Sequence, residues 1–516
     1  MATPSKPTSN LRVAALIATS TYVTTVLGFV VSIIIARSLG PNDYGQYAYL
    51  VWLSGLLVVI GNHGLGVSGI RFISEYAGRG ELEEARNVHR WLRKQQVFSV
   101  AIVLTLFTIS TLFFKPAGWA GSTIVLVAII AVCVACKSFY IFNISIAKGY
   151  RKFSVESWSN MIATVTYTVG AGILGLIHAS LNSFAIFFAL ISASYMLMVK
   201  YFTTKEQIQP GSVDCRTDTL ARLKPHLKWT IVLVVVATLS NKTMETFLLS
   251  ALTSPAEVGY FSISTALTRG GVDLLSSVLT TMLMPLMSHA YGEGGIQSVN
   301  AVLSRALRYF TFLGLLLAGV GMLWSEPGIL LMYGHKYEPV VNILRVMTLI
   351  GGLTLTEGAF GALLSTTDNQ KLWAQTSMMS IVVSVVMSVS LVPLYGLTGA
   401  VMSHAITRIT ILLLMTWQIK RNMNAIHVPI KALGSLFLAA IFAIGCISPL
   451  LLWQHNPIME FACGLIFTLI YVPATFVLGA WSKEDLKELN PLLARLPAPI
   501  RSAVQRFHDS APRQGT

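Results

Sequence analysis

Leu39-Gly40-Pro41-Asn42-Asp43-Tyr44-Gly45-Gln46-Tyr47 decides the reading of this chain, because it comes back. It is followed by Arg71-Phe72-Ile73-Ser74-Glu75-Tyr76-Ala77-Gly78-Arg79-Gly80, and a shift of 214 positions brings both pieces back without a gap. Ser254-Pro255-Ala256-Glu257-Val258-Gly259-Tyr260 lies on the first piece and Pro285-Leu286-Met287-Ser288-His289-Ala290-Tyr291-Gly292-Glu293-Gly294 on the second. Pro41 meets Pro255, Gly45 meets Gly259, and Gly78 and Gly80 meet Gly292 and Gly294. Two related halves around a shared site is the expectation. Locally, Ser254-Pro255-Ala256-Glu257 is a capping box: an N-cap acceptor, a proline at the first helical position and an acid at the positive helix end. Gly40-Pro41-Asn42-Asp43 does the same for the first half, so each copy reads as a tight turn that starts a helix.

The rest of the chain is unlike a soluble enzyme. Of its 516 residues, 54% are hydrophobic and only 11% charged, against about 25% charged in soluble domains. The apolar runs are about twenty residues long, the length that crosses a hydrocarbon core as a helix. They lack the ten-residue alternation of a membrane barrel. Fourteen runs stand between charged or Gly/Pro-rich breaks, near 12–36, 44–70, 95–114, 119–147, 155–178, 181–202, 229–252, 257–284, 306–324, 340–365, 372–394, 397–419, 430–453 and 457–481. The shortest turns between them fall near His178–Asn182 and Pro393–Gly396. The stretch Val13–Ala36 is too long for a signal-peptide core and is read as the first span.

The net charge of +15 is a topology signal, which removes the case for nucleic acid. With the N-terminus inside, 29 of the 37 basic residues fall in cytoplasmic segments and only Arg37, Lys115 and Lys336 outside. That is the positive-inside pattern with both termini cytoplasmic. The domains expected are an N-terminal six-helix bundle (1–202), a cytoplasmic linker (203–228), a second six-helix bundle (229–420), two additional spans (421–481) and a basic tail (482–516). Arg71, Arg79, Arg86, Arg90 and Arg93 lie at the level of anionic headgroups, as solvated or lipid-facing charge or as a contact for an anionic substrate. Cys133 and Cys136 form a C-x-x-C inside an apolar run, without a second pair or histidines, and read as packing residues. No metal or cofactor is expected.

Arg37-Ser38-Leu39-Gly40-Pro41-Asn42-Asp43-Tyr44-Gly45 and Gly64-Leu65 running into Arg71-Phe72-Ile73 carry a family resemblance. So do Ala147-Lys148-Gly149-Tyr150-Arg151-Lys152 and Tyr395-Gly396-Leu397-Thr398-Gly399-Ala400. At these residues the chain resembles the polysaccharide-transport branch of the multidrug/oligosaccharidyl-lipid/polysaccharide exporter superfamily, the Wzx-type flippases. The resemblance implies an all-α polytopic protein of two six-helix bundles around a central cavity, plus two C-terminal helices, in the bacterial inner membrane. It implies alternating access that carries an undecaprenyl-diphosphate-linked glycan, with a polysaccharide polymerase and chain-length machinery as partners.

Ionisable residues within spans are the site candidates, because charge at membrane depth faces a wet cavity or a partner. Lys137, Lys242, Arg269, Arg345 and Arg408 are the basic ones, and Arg37 sits at an outer mouth. Lys242 has Glu245 three residues on and Arg269 has Asp273 four residues on, so each could be a helical pair, lining the cavity or not. Lys137, Arg345 and Arg408 have no acid at that spacing and are favoured for anion contact. Glu357 is the first choice for a coupling carboxylate; Glu245, Asp273 and His63 are further coupling or gating candidates, His63 also reading as a buried structural histidine. An excess of basic groups suits a pyrophosphate-bearing substrate more than an organic cation. No G-x-x-x-x-G-K-[ST] motif is present, so an ion gradient would drive the cycle. A lipid II-type flippase, a drug/cation antiporter and, from another class, a membrane polymerase or ligase are the alternatives. The short outer segments weigh against the last.

Overall fold

The computed structural model describes residues 7–113, 118–239, 243–367, 369–423, 426–453, 456–482 and Asp485. Lys115, Lys242 and nearly all of the basic tail lie outside the described residues, as does the side chain of Asp273. Among the described residues all regular structure is helical, as the apolar runs require. The chain divides into two compact units, Met1–Gly259 and Tyr260–Thr516.

In the first unit α1 (Pro7–Asn62) carries the first two expected spans. A straight helix of 56 residues would be far longer than the ~30 Å hydrocarbon core at 1.5 Å per residue. Gly40 ends the first span with φ 75° and ψ 173°, a conformation L side chains avoid, and Pro41 opens the second. Then come α2 (Leu65–Gly78), α3 (Leu82–Phe113), α4 (Thr123–Gly149), α5 (Ser154–Leu176), α6 (Leu181–Lys205), α7 (Thr217–Leu239) and α8 (Thr243–Leu252). His178, with φ 50°, makes the tight turn between α5 and α6. The helix α9 (Pro255–Thr268) begins at Pro255, as its capping box predicts, and the division between units falls inside it.

Within this unit the duplicated motif touches its own copy. A methyl group on Gly259 would stand 3.2 Å from Cα and N of Gly45 and from the Pro41 carbonyl oxygen. One on Gly45 would enter the carbonyl of Pro255. Small residues let helix backbones approach this closely in a medium where packing, and not hydrophobic burial, drives association.

The expected linker, 203–228, does more than connect, and from Thr217 it is already part of α7. Leu223, Leu227 and Cys215 complete a buried cluster with Phe72, Tyr76, Val88 and Leu92. Arg222 binds Glu75 at 2.8 Å, Arg216 binds Glu81 at 2.7 Å, and the Arg216 amide donates to the 2%-exposed carboxylate of Glu84 at 3.1 Å. The amide of Gly211 donates to the carbonyl of Arg86 at 2.7 Å. Lys94 lies 2.9 Å from Asp214 and holds its carboxyl below the usual range. Several charges that read as solvated in sequence are thus tied to this segment.

The second unit continues α9 through a π-helical turn, Arg269–Asp273, into α10 (Leu274–Leu323). Then follow α11 (Ser325–Met332), α12 (Val340–Leu353), α13 (Glu357–Thr366), α14 (Gln370–Asn422), α15 (Ile430–Trp453) and α16 (Pro457–Val477). Gly295 (φ 63°) bends α10, and Gly396 (φ 52°) bends α14 at the expected Pro393–Gly396 turn. Among the described residues, ten helical stretches are long and apolar enough to cross a membrane. Two of them, Ala15–Asn62 and Lys371–Asn422, are long enough for two spans each. The final pair packs on α10: Phe467 and Tyr471 stack, Tyr471 stacks on Phe312 and donates to its carbonyl at 3.2 Å, and Leu436, Ala439 and Ala443 close the cluster. Arg308 ties α10 to the fully buried Asp485 at 2.7 Å.

The Gly45–Gly259 contact gives an ordered expectation. Gly45→Ala must displace a backbone carbonyl and should cost about 1–3 kcal/mol, as overpacking does. Gly259→Ala, whose new contacts are merely tight, should cost less. Thermal unfolding of the two variants in detergent checks the order, and equal or reversed losses would rule out the contact.

Candidate substrate and coupling site

A helix inside hydrocarbon is interrupted at a cost, because each freed amide or carbonyl lacks water. Interruptions therefore mark places where protein or a wet cavity supplies partners. Among the described residues, interruptions well inside the expected spans fall at His63–Gly64, at Arg269–Asp273 and at Thr354–Thr356. Each coincides with sequence candidates: His63, Arg269 with Asp273, and Glu357.

At the first, His63 (φ 22°) and Gly64 (φ 82°) part α1 from α2. The His63 amide still donates to the Val59 carbonyl at 2.9 Å, and its ring Nδ1 shares a hydrogen bond with Ser99 Oγ at 2.8 Å. Gly64 abuts Thr230 of α7, whose Cγ2 would lie 2.7 Å from an added methyl. His63 is therefore anchored. The second interruption is a π turn holding Gly270 and Gly271, a type of helix defect frequent at functional sites. Arg269 at its start is exposed.

The third has the most chemistry. The helix α12 ends at Leu353 and α13 starts at Glu357. Tight turns keep the amides paired: Leu355 donates to Gly352, Glu357 to Thr354 and Gly358 to Leu355. Glu357 occupies the first turn of α13, where the helix dipole favours an anion. Arg408 of α14 reaches it, Nη1 to Oε2 at 3.0 Å, and its other arm lies 3.5 Å from the hydroxyl of Thr354. The carboxylate is 16% and the guanidinium 33% exposed. Two residues singled out separately in sequence are thus one ion pair at a broken helix.

Arg345 behaves differently. It contacts Glu460 of α16 at 2.6 Å and Glu326 of α11 at 3.1 Å, and its Nε faces the Met322 carbonyl. Two carboxylates share the one guanidinium. Its geometry is that of a tie between α12, α11 and α16, so the absence of an acid three or four residues away did not leave Arg345 free. Nearby, Trp324 stacks on Phe461 and donates to its carbonyl at 3.0 Å. Local spacing misses these partners, although all three charged residues sit within two turns of the same end of their spans.

Lys137 of α4 has no such partner: among the described residues no carboxylate lies within 4 Å of it, and its ammonium stands 3.9 Å from the centre of the Phe188 ring. Tyr47 meets Phe188 edge to face and is hydrogen-bonded through its hydroxyl to Tyr167. The aromatics around Lys137 come from α1, α5 and α6 and were not among the sequence candidates. Arg37 is exposed one turn before the Gly40 break, and Glu245 is buried in the first turn of α8. No group of three or more metal-ligating side chains occurs among the described residues.

A multi-span helical protein with broken helices and ionisable residues at the breaks is built as a transporter. The chain belongs to the polysaccharide biosynthesis protein family, whose model matches residues 11–291, more than half its length. It is thereby a membrane transporter of the MOP superfamily, as the resemblance read from its motifs implied. Its fold is similar to a lipid II flippase MurJ in an inward closed conformation (TM-score 0.71, 16% identity, 90% of this chain and 98% of that one). It is also similar to an inward-facing multidrug resistance MATE transporter (0.59, 14%, 78% and 95%) and to a MOP transporter from Pyrococcus furiosus (0.54, 14%, 80% and 94%). Among curated proteins no sequence matches.

The Arg408–Glu357 pair is open to a double-mutant test. Arg408→Met should lower stability by on the order of 2–3 kcal/mol, less than a fully buried pair loses, because it strands a carboxylate. Adding Glu357→Leu should recover most of that loss. If the double variant is no more stable than the single, the two side chains are not coupled.

Proposed function

We propose that this protein is a flippase for an undecaprenyl-diphosphate-linked oligosaccharide repeat unit, acting in the bacterial cytoplasmic membrane with both termini inside. The carrying observation is Lys137: a cation at membrane depth, walled by aromatic rings and lacking a carboxylate, within a family of polysaccharide biosynthesis proteins. An ammonium so placed favours a phosphate, and rings beside it offer faces on which sugars stack. An organic cation would find repulsion there. Basic side chains replace the water of the headgroup while the polyprenyl tail stays in lipid. The Arg408–Glu357 pair is the coupling element. With Glu357 ionised, Arg408 is occupied; a proton on Glu357 releases the guanidinium to an anion, so proton and phosphate binding are linked. Arg345 is left out of the substrate path by its two acids. Arg37, Lys242, Arg269, Glu245, Asp273 and His63 remain secondary candidates for lining or gating. A polymerase and chain-length machinery are the expected partners on the far side.

The test is lipid analysis in cells whose own copy is replaced by Lys137→Met. Loss of one charge-assisted contact, about 1.5–3 kcal/mol, should slow export tenfold or more and trap the lipid-linked repeat unit on the cytoplasmic leaflet, with Lys137→Arg recovering export. Lipid II accumulating in its place would favour a lipid II flippase. Undiminished export of both would remove Lys137 from the substrate path.

A further inference from the structure

At the end of α3 nearest the segment between α6 and α7, a cavity of about 650 Å³ opens beside Arg90, Arg93 and Lys94. One and two turns further along the same helix it is lined by Val97, Phe98 and Ala101. Positions 90, 94, 97, 98 and 101 share a helix face, so a basic step passes directly into an apolar one. The opposite wall is Pro210-Gly211. That wall is held against α3 by the Gly211 amide on the Arg86 carbonyl, and it fits only glycine: a methyl there would collide with Asn87.

The electrostatics are unbalanced. Asp214, 72% exposed, serves Lys94 at 2.9 Å and Arg90 at 4.0 Å. Arg93 has no carboxylate within 4 Å among the described residues; its guanidinium lies 5.8 Å from the Phe139 ring centre. Three cations against one acid leave about two positive charges at the rim.

The apolar side shows where a ligand would come from. Val97 is 59% and Phe98 64% exposed, and the exposed face runs on through Ile102, Leu106, Ile109 and Phe113. The seventeen residues from Val97 to Phe113 span about 24 Å of helix, more than the ~15 Å of one leaflet. Such a face stands in hydrocarbon, and the cavity sits where it ends.

We propose that this cavity binds a resident anionic phospholipid of the bilayer, its phosphate on Arg90, Arg93 and Lys94 and an acyl chain along Val97, Phe98 and the face beyond. Neither Lys137 nor the Glu357–Arg408 pair is among its lining residues, and it does not depend on which substrate is carried. By joining α3 to the Pro210–Gly211 wall, the lipid would also hold the connecting segment in place.

Native mass spectrometry of the full-length protein, delipidated and then titrated with phosphatidylglycerol or phosphatidylcholine, tests this. Wild type should retain phosphatidylglycerol in preference to phosphatidylcholine, and less of it in high salt. Arg93→Gln/Lys94→Gln should bind it roughly 30-fold more weakly, taking about 1 kcal/mol per basic group. Lys420→Gln, a basic change elsewhere, should match wild type. Equal retention of both lipids, or an unaltered affinity in the double variant with an unaltered salt response in wild type, would overturn the proposal. Displacement of phosphatidylglycerol by undecaprenyl diphosphate at matched concentration would overturn it too, since the groove would then belong to the substrate route.

Discussion

Hydrocarbon offers a peptide group no water, so within a membrane every amide must find its partner in the protein. Nearly everything else in this molecule follows from that constraint. It makes helix the only regular structure among the described residues and makes each departure from helix conspicuous. Gly40, Gly295 and Gly396 turn the chain at span ends, where water or headgroups are near. His63–Gly64, Arg269–Asp273 and Thr354–Thr356 interrupt it within spans, where neither is. Backbone pairing persists at two of these: the His63 amide keeps the Val59 carbonyl at the first, and overlapping tight turns pair the amides at the third. The defects and the ionisable residues are therefore one feature, since a broken helix creates the polar surroundings in which a charge can remain.

The repeated motif has a physical use. Gly45 and Gly259 are equivalent positions, and they meet backbone to backbone. Residues without side chains let the two copies of the motif approach this closely. Much of this was legible: apolar runs, Gly-Pro punctuation and the placement of basic residues gave the helices, their short turns at His178 and Gly396, and the repeat. Those signals are local, and so is what they report.

Charge pairing was not legible, for the same reason. The spacing rule sees one helix face, whereas Arg345 is met by acids 19 positions before and 115 after it, and Arg408 by one 51 positions before. Helices that pack side by side in a membrane pair residues by depth, and depth is only loosely encoded by counting from uncertain span ends. The segment between α6 and α7 eluded the sequence similarly. Its Pro, Gly and charges read as a solvated connection, yet Cys215 is buried with Leu223 and Leu227 of the following α7 against Phe72 and Tyr76, and Arg216 and Asp214 interlock with α3.

Pairing also changes what the intramembrane charge means. Summed over spans, the basic excess looks like a diffuse attraction for anions. Taken site by site, Arg345 is shared by two carboxylates, Arg408 is paired with Glu357, and among the described residues Lys137 alone of these three faces a ring and no carboxylate within 4 Å. A field spread over many groups steers a ligand toward a protein but does not decide where it rests. An acid-free ammonium in weakly screening surroundings does decide it, because the interaction grows as the effective dielectric falls. On the proposed function, then, the phosphate is held where compensation is missing, and the compensated pair at the broken helix is what a proton can open.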